Sequence, residues 1–152
     1  MTDFEVVRST TIQAPPETVH ALLDDFHEWQ AWSPWEDVDP DMERTYGGAD
    51  SGEGATYAWS GNRKAGSGTM TITSSSPVRV DVLLEFTKPM RATNHVAFEL
   101  VPAGGGTQVT WRMSGTSTGV FGLVSKVFPV MDKMVGKDFE KGLTRMKAAA
   151  EK

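Results

Sequence analysis

Val78-Arg79-Val80-Asp81-Val82-Leu83-Leu84-Glu85-Phe86-Thr87 alternates apolar and polar side chains over ten residues. A strand turns successive side chains to opposite faces, so this stretch predicts a strand with one buried face and one solvated face. The same alternation recurs upstream, with Met70 and Ile72 set against Thr69, Thr71 and Thr73. Downstream it recurs in Val96, Phe98 and Leu100, then in Val109, Trp111 and Met113. Between these runs stand the turn signals Ser60-Gly61-Asn62, Ser74-Ser75-Ser76-Pro77 and Ala103-Gly104-Gly105-Gly106. Together they predict a six-stranded antiparallel meander from about Met42 to Gly115, apolar and aromatic on one face. Such a face needs a cover.

The C-terminal segment supplies one. After Pro129, the residues Met131, Met134, Val135, Phe139, Leu143 and Met146 form an apolar stripe at helical spacing, and Lys133, Lys137, Glu140, Lys141, Thr144 and Lys147 occupy the opposite side. This reads as a helix of roughly 22 residues, roughly 33 Å long. Pro129 either begins it or kinks it against the apolar stretch from Val120 to Phe128. Gly136 and Gly142 each lower helicity by roughly 1 kcal/mol relative to alanine, a cost that points to close packing.

At the other end of the chain, Phe4 to Ile12 is rich in Val, Thr and Ile and reads as a first strand. Its apolar positions do not keep one parity, which implies a bulge. Ala14-Pro15-Pro16-Glu17 then opens a short helix, with Val19, Leu22, Leu23 and Phe26 at helical spacing. Trp29-Gln30-Ala31-Trp32-Ser33-Pro34-Trp35 follows, three indoles within seven residues, and Ser33-Pro34 forces a break. The elements add up to an α+β helix-grip fold. A curved antiparallel sheet of about seven strands wraps a long C-terminal helix, with two short helices after strand 1, in one domain spanning residues 1–152.

Composition narrows the class. The chain has 152 residues, a formal net charge of -5 and no cysteine. It can bury a core without staples, and it offers neither disulfides nor thiolate chemistry. The negative balance speaks against a nucleic-acid partner, and the lack of a long apolar run speaks against a membrane span. Met1-Thr2-Asp3-Phe4-Glu5 has neither a basic region nor an apolar run of the kind that directs secretion, so a cytoplasmic location is expected.

Several stretches carry a resemblance to a known family. They are Ala14-Pro15-Pro16-Glu17, Trp32-Ser33-Pro34-Trp35, Trp59-Ser60-Gly61-Asn62, Thr107-Gln108-Val109-Thr110-Trp111 and Gly136-Lys137-Asp138-Phe139-Glu140-Lys141-Gly142-Leu143. In these the chain resembles bacterial polyketide cyclase/dehydrase-like proteins of the START-like SRPBCC superfamily, over essentially its whole length. The resemblance implies a deep apolar cavity between sheet and long helix. Members range from cyclases and oxygenase subunits to hormone receptors, lipid carriers and co-chaperones, so it implies no particular catalytic residue.

The residues themselves offer a cavity wall. Trp59, Met70, Phe86, Phe98, Trp111 and Met113 from the sheet, with Met131, Met134, Val135 and Phe139 from the helix, are aromatic, sulfur-bearing or branched side chains of the kind that line ligand pockets, or else ordinary core. Trp32 and Trp35 either join that wall or pack beneath the short helices. Tyr57 shares parity with Trp59, and Asn94 with Phe98, so both could present a hydrogen-bonding group to a ligand. On an uninterrupted helix Asp132 projects within roughly 20° of Phe139, where a desolvated carboxylate suits proton transfer. If Pro129 begins the helix, Asp132 lies in its first turn, where the helix dipole favours a negative charge.

Other signals imply less. Asp37-Val38-Asp39-Pro40-Asp41 imitates a calcium loop, but Met42 and Gly48 stand where glycine and glutamate are needed. His20, His27 and His95 lack metal-ligand spacing, so neither metal nor cofactor is expected. No serine has a histidine and an acid whose placement the sequence argues, so a nucleophilic triad is not expected either. Lys133, Lys137, Lys141 and Arg145 form a stripe that reads as a solvated face. The leading expectation is therefore binding of a small hydrophobic or amphipathic molecule, such as a lipid, polyketide or aromatic metabolite. One alternative is a cyclase/dehydrase using Asp132 or Tyr57 as acid or base, and another is a co-chaperone-like interaction module. Ligand identity and oligomeric state are left open.

Overall fold

The computed structural model describes residues 4–33, 41–61, 66–88, 92–115 and 124–151, with the side chains of Phe4, Lys88 and residues 124–134 outside the description. Trp35 therefore lies outside the described residues, as do the side chains of Met131, Asp132 and Met134. The chain runs β1 (Phe4–Ile12), α1 (Pro16–Leu23), a 3-10 turn (Glu28–Ala31), β2 (Glu43–Gly48), β3 (Ala55–Ser60), β4 (Ser67–Ser76), β5 (Arg79–Lys88), β6 (Ala92–Ala103), β7 (Gly106–Gly115) and α2 (Val124–Ala150). The seven strands form a single antiparallel sheet in the order β1-β7-β6-β5-β4-β3-β2. β2 to β7 are the expected meander, and β1 returns to pair with β7 at the far edge.

Side-chain parity builds the core. Val80, Val82 and Leu84 of β5, Val96, Phe98 and Leu100 of β6, and Val109, Trp111 and Met113 of β7 all point to one face and are buried there. Alternate residues of the same strands, among them Arg79, Asp81, Glu99 and Arg112, link in ion pairs on the outer face. The buried face meets α2, whose Phe139, Leu143 and Met146 have lost all or nearly all contact with water. α2 lies along β1, with α1 and the 3-10 turn beside it.

Two strand expectations need correction. β1 pairs with β7 without a register shift from Phe4↔Gly115 to Ile12↔Thr107, so it has no bulge. Its parity is regular; an arginine simply occupies an inward position. Arg8 stands opposite Trp111 on the inner parity, and its guanidinium crosses Gly136 of α2 to reach Glu140 at 3.0 Å. The irregularities lie in β4 instead, between Ser67 and Gly68 and between Ile72 and Ser74. β5 also begins one residue later than its alternation implied, because Val78 sits in the preceding turn and remains 55% exposed.

α2 spans 27 residues, about 40 Å at helical rise. It begins at Val124, before Pro129, so Pro129 does not start it and Asp132 lies beyond its first turn. Of the two short helices expected after β1, the first is α-helical and the second is a single 3-10 turn.

Candidate functional site

The space between sheet and α2 divides into two ends of different character. At the end nearer β1, aromatic rings fill it. Trp29 and Trp32 follow α1, whose last turn leaves carbonyls without helical partners. The two indoles supply the donors: Trp29 Nε1 donates to Leu23 O at 2.9 Å, and Trp32 Nε1 to Leu22 O at 2.8 Å. Trp32 then meets Phe98 and Trp111 edge-on at 5.7 Å and 5.4 Å, and Trp111 stacks on Phe139 at 4.0 Å. Trp32, Phe98, Trp111 and Phe139 are each 1% exposed or less. These four rings touch one another.

The other end lies toward β3, β4 and β5, where β3, β5 and β7 finish. Tyr57 stands opposite Met70, Met70 opposite Leu84, and Leu84 opposite Asn94, giving one continuous row across four strands. In the next row Trp59 and Phe86 flank Gly68. A side chain at Gly68 would begin 2.6 Å from Trp59 Cη2 and would run into Glu85 O. Only glycine lets the Trp59 ring lie across β4, where it meets Phe86 edge-on at 5.7 Å. Trp59, Met70 and Phe86 are only partly buried, although they pack against the core. Apolar surface is thus presented along this wall.

Two polar side chains stand in it. Tyr57 is buried between Phe26 and Tyr46, at ring separations of 5.7 Å and 5.3 Å. Asn94 is 5% exposed and stands opposite Leu84 on the inner parity, so its carboxamide is the polar group at the β6 end of the row. Arg44, opposite Trp59 on edge strand β2, adds a polar rim.

Of the expected residues, Tyr57, Trp59, Met70, Phe86 and Asn94 belong to this partly open end, with Met113 buried one row inward, while Val135 is partly buried on α2, beside the Gly136 that meets Arg8 of β1. Trp32, Phe98, Trp111 and Phe139 belong to the aromatic cluster. Gly68 was not among the expected site residues; its signal is a glycine on the apolar parity of β4, beside the register shift between Ser67 and Gly68. No group of three or more metal-ligating side chains is present among the described residues. No described helix is long and apolar enough to cross a membrane.

A curved antiparallel sheet gripping a C-terminal helix, with a partly open apolar wall between them, defines the START-like class of helix-grip proteins. Within that class the chain belongs to the polyketide cyclase/dehydrase and lipid transport family, whose model matches residues 3–151. The fold is shared widely among solved structures. A protein from Chromobacterium violaceum is 14% identical, with a TM-score of 0.69 and 97% of each chain covered. A START superfamily protein from Mycobacterium smegmatis is 13% identical, with a TM-score of 0.61 and again 97% of each chain covered. A protein of the dynemicin biosynthetic locus is 13% identical with a TM-score of 0.63, the match covering 95% of this chain and 46% of that one. The comparison with curated proteins finds no match.

Proposed function

We propose that the protein binds a small apolar or amphipathic molecule against the wall formed by Trp59, Met70, Leu84 and Phe86, with Asn94 hydrogen-bonding the ligand's polar group. The observation that carries this reading is the contrast between the two ends of one interior. Side chains of the same parity are sealed among aromatic rings at one end and partly exposed at the other. The family description, which includes lipid transport, supports the same reading. A flexible thioether and two aromatic faces suit a ligand of varied shape, and one carboxamide orients it.

The test pairs affinity with stability. An environment-sensitive hydrophobic probe and a fatty acid should each bind the parent protein and change its tryptophan emission. Met70→Trp adds volume to the wall, so it should weaken probe binding about tenfold or more with little change in unfolding. In a packed core the same substitution would cost about 1–3 kcal/mol of stability. A parent protein that binds neither compound would overturn the proposal.

A second reading, cyclisation or dehydration of a polyketide-like substrate on the same wall, draws on the Tyr57 hydroxyl in the Met70–Asn94 row and on Asp132 beyond the first turn of α2. Tyr57→Phe and Asp132→Asn each remove proton transfer with little change in volume. Turnover unaffected by both would eliminate these groups as acid or base.

A further inference from the structure

The second irregularity of β4 brings a serine within reach of α1. Ile72 pairs with Val82 but Ser74 pairs with Asp81, so Thr73 is the extra residue and Ser75 stands opposite Val80. Val80 is an inward residue; without the bulge, Ser74 and Ser76 would have taken the inner parity and Ser75 the outer. Ser75 Oγ consequently lies 3.0 Å from His20 Nε2. At the opposite side of the ring, His20 Nδ1 is 3.6 Å from Asp24 Oδ2, one helical turn further along. Hydroxyl, imidazole and carboxylate stand in series.

These residues line a groove of about 470 Å³ together with Pro16, Glu17, Gly52 and Glu53. It shares no residue with the apolar wall. Its sides are tied together: Gly52 N donates to Asp24 O at 2.7 Å, and the His20–Ser75 contact joins α1 to β4. No atom lies within 4 Å of where a side chain at Gly52 would begin, which leaves room beside the turn for a substrate. The His20 and Asp24 side chains are 21% and 22% exposed, sheltered yet open to water.

We infer that Ser75, His20 and Asp24 form an acyl-transfer site for small esters that are neutral or cationic. In the step, Ser75 Oγ attacks the ester carbonyl while its proton passes to His20 Nε2. The new Oγ–C bond forms, the ester C–O bond breaks, and the departing alcohol takes the proton back from His20. Water, deprotonated by the same nitrogen, then attacks acyl-Ser75; the acyl C–Oγ bond breaks, His20 returns the proton to Ser75 Oγ, and the carboxylic acid is released. Asp24 is a positioning residue, turning Nδ1–H of the ring toward itself. The exposed carboxylates Glu17 and Glu53 repel anionic esters and attract cationic ones. Because the groove is open, water carries much of the oxyanion stabilisation, so activated esters react and amides do not.

Incubation of the full-length protein with para-nitrophenyl acetate, followed by peptide mass mapping, tests this directly. Acetylation should fall on Ser75 and disappear in Ser75→Ala. In His20→Gln the acylation rate should drop roughly 100- to 10,000-fold, the range expected for loss of a general base. Asp24→Asn should lower it as well, and Asp24→Glu, which keeps the charge, should recover part of the loss. A neutral or choline ester should outpace a negatively charged ester of equal leaving group. Acetyl groups found only on lysines, or an unchanged rate in a folded His20→Gln protein, would overturn the assignment. Mapping the parent decides the matter even if a variant fails to fold, and probe binding at the Trp59 wall should be unaffected throughout.

Discussion

Two glycines that face side chains of other elements lead to opposite expectations, and the difference lies in what each one touches. At Gly68 an added methyl would meet the backbone carbonyl of Glu85 and the Trp59 ring, neither of which can yield cheaply. Gly68→Ala should destabilise by about 1–3 kcal/mol and disturb probe binding, as read by denaturant unfolding and fluorescence titration. At Gly136 the methyl would meet only the guanidinium of Arg8, the far end of a flexible chain. The displaced Arg8–Glu140 pair is partly exposed and contributes at most about 1 kcal/mol, while alanine restores roughly the same amount of helix propensity. Gly136→Ala should therefore leave the unfolding free energy almost unchanged. Arg8 is also where single residues were hardest to read: a charged side chain on the inner parity looked like the mark of a bulge, because nothing local reveals that a helix glycine will receive its guanidinium.

Elements were legible wherever their periodicity was strong. β5, β6 and β7 alternate cleanly because one face is wet, and α2 carries its apolar stripe from Val135 through Met146. The bulge in β4 was not legible, since Thr73-Ser74-Ser75-Ser76 are all small and polar and register leaves no mark on such a run. Ser75 could not be paired with His20 for that reason, although His20 and Asp24 were plainly one turn apart. Nor did the aromatic pattern separate the two ends of the interior, because ring–ring contact depends on which strands are neighbours. The end of α2 supports a pH prediction. Glu151 accepts the Gln13 N–H at 2.7 Å and Lys147 Nζ at 2.6 Å. The Gln13 amide first, and Lys147 after it, hold its carboxyl below the usual glutamate range. A depressed folded-state value means that the stabilisation is present above the usual range and is lost as pH falls through the lowered value. An NMR titration should place the Glu151 midpoint below that of an unstructured glutamate, and Lys147→Met should raise it only partway back.

At the scale of the whole molecule, the sheet and α2 are each other's solvent shield. Phe139, Leu143 and Met146 lie against the face that bears Val109, Trp111 and Val6. Removing the chain after Gly119 would open that face to water, so the fragment should aggregate or stay unfolded, as judged by gel filtration and cooperative thermal melting. A soluble fragment with a sharp transition would contradict this account of the core.

The strand order has a consequence for biosynthesis. β1 is made first, yet its hydrogen-bonding partner is β7, with Phe4 aligned to Gly115. On a ribosome working from the N-terminus, the hairpins from β2 to β7 can form in turn as they emerge, while the opening strand waits with its edge unsatisfied. Pairing across so long a stretch is entropically slow, and it is most exposed to wrong partners while it is incomplete. Arg8, inward-facing and awaiting Glu140, places a charge in the middle of that waiting strand and so guards it against self-association during the interval.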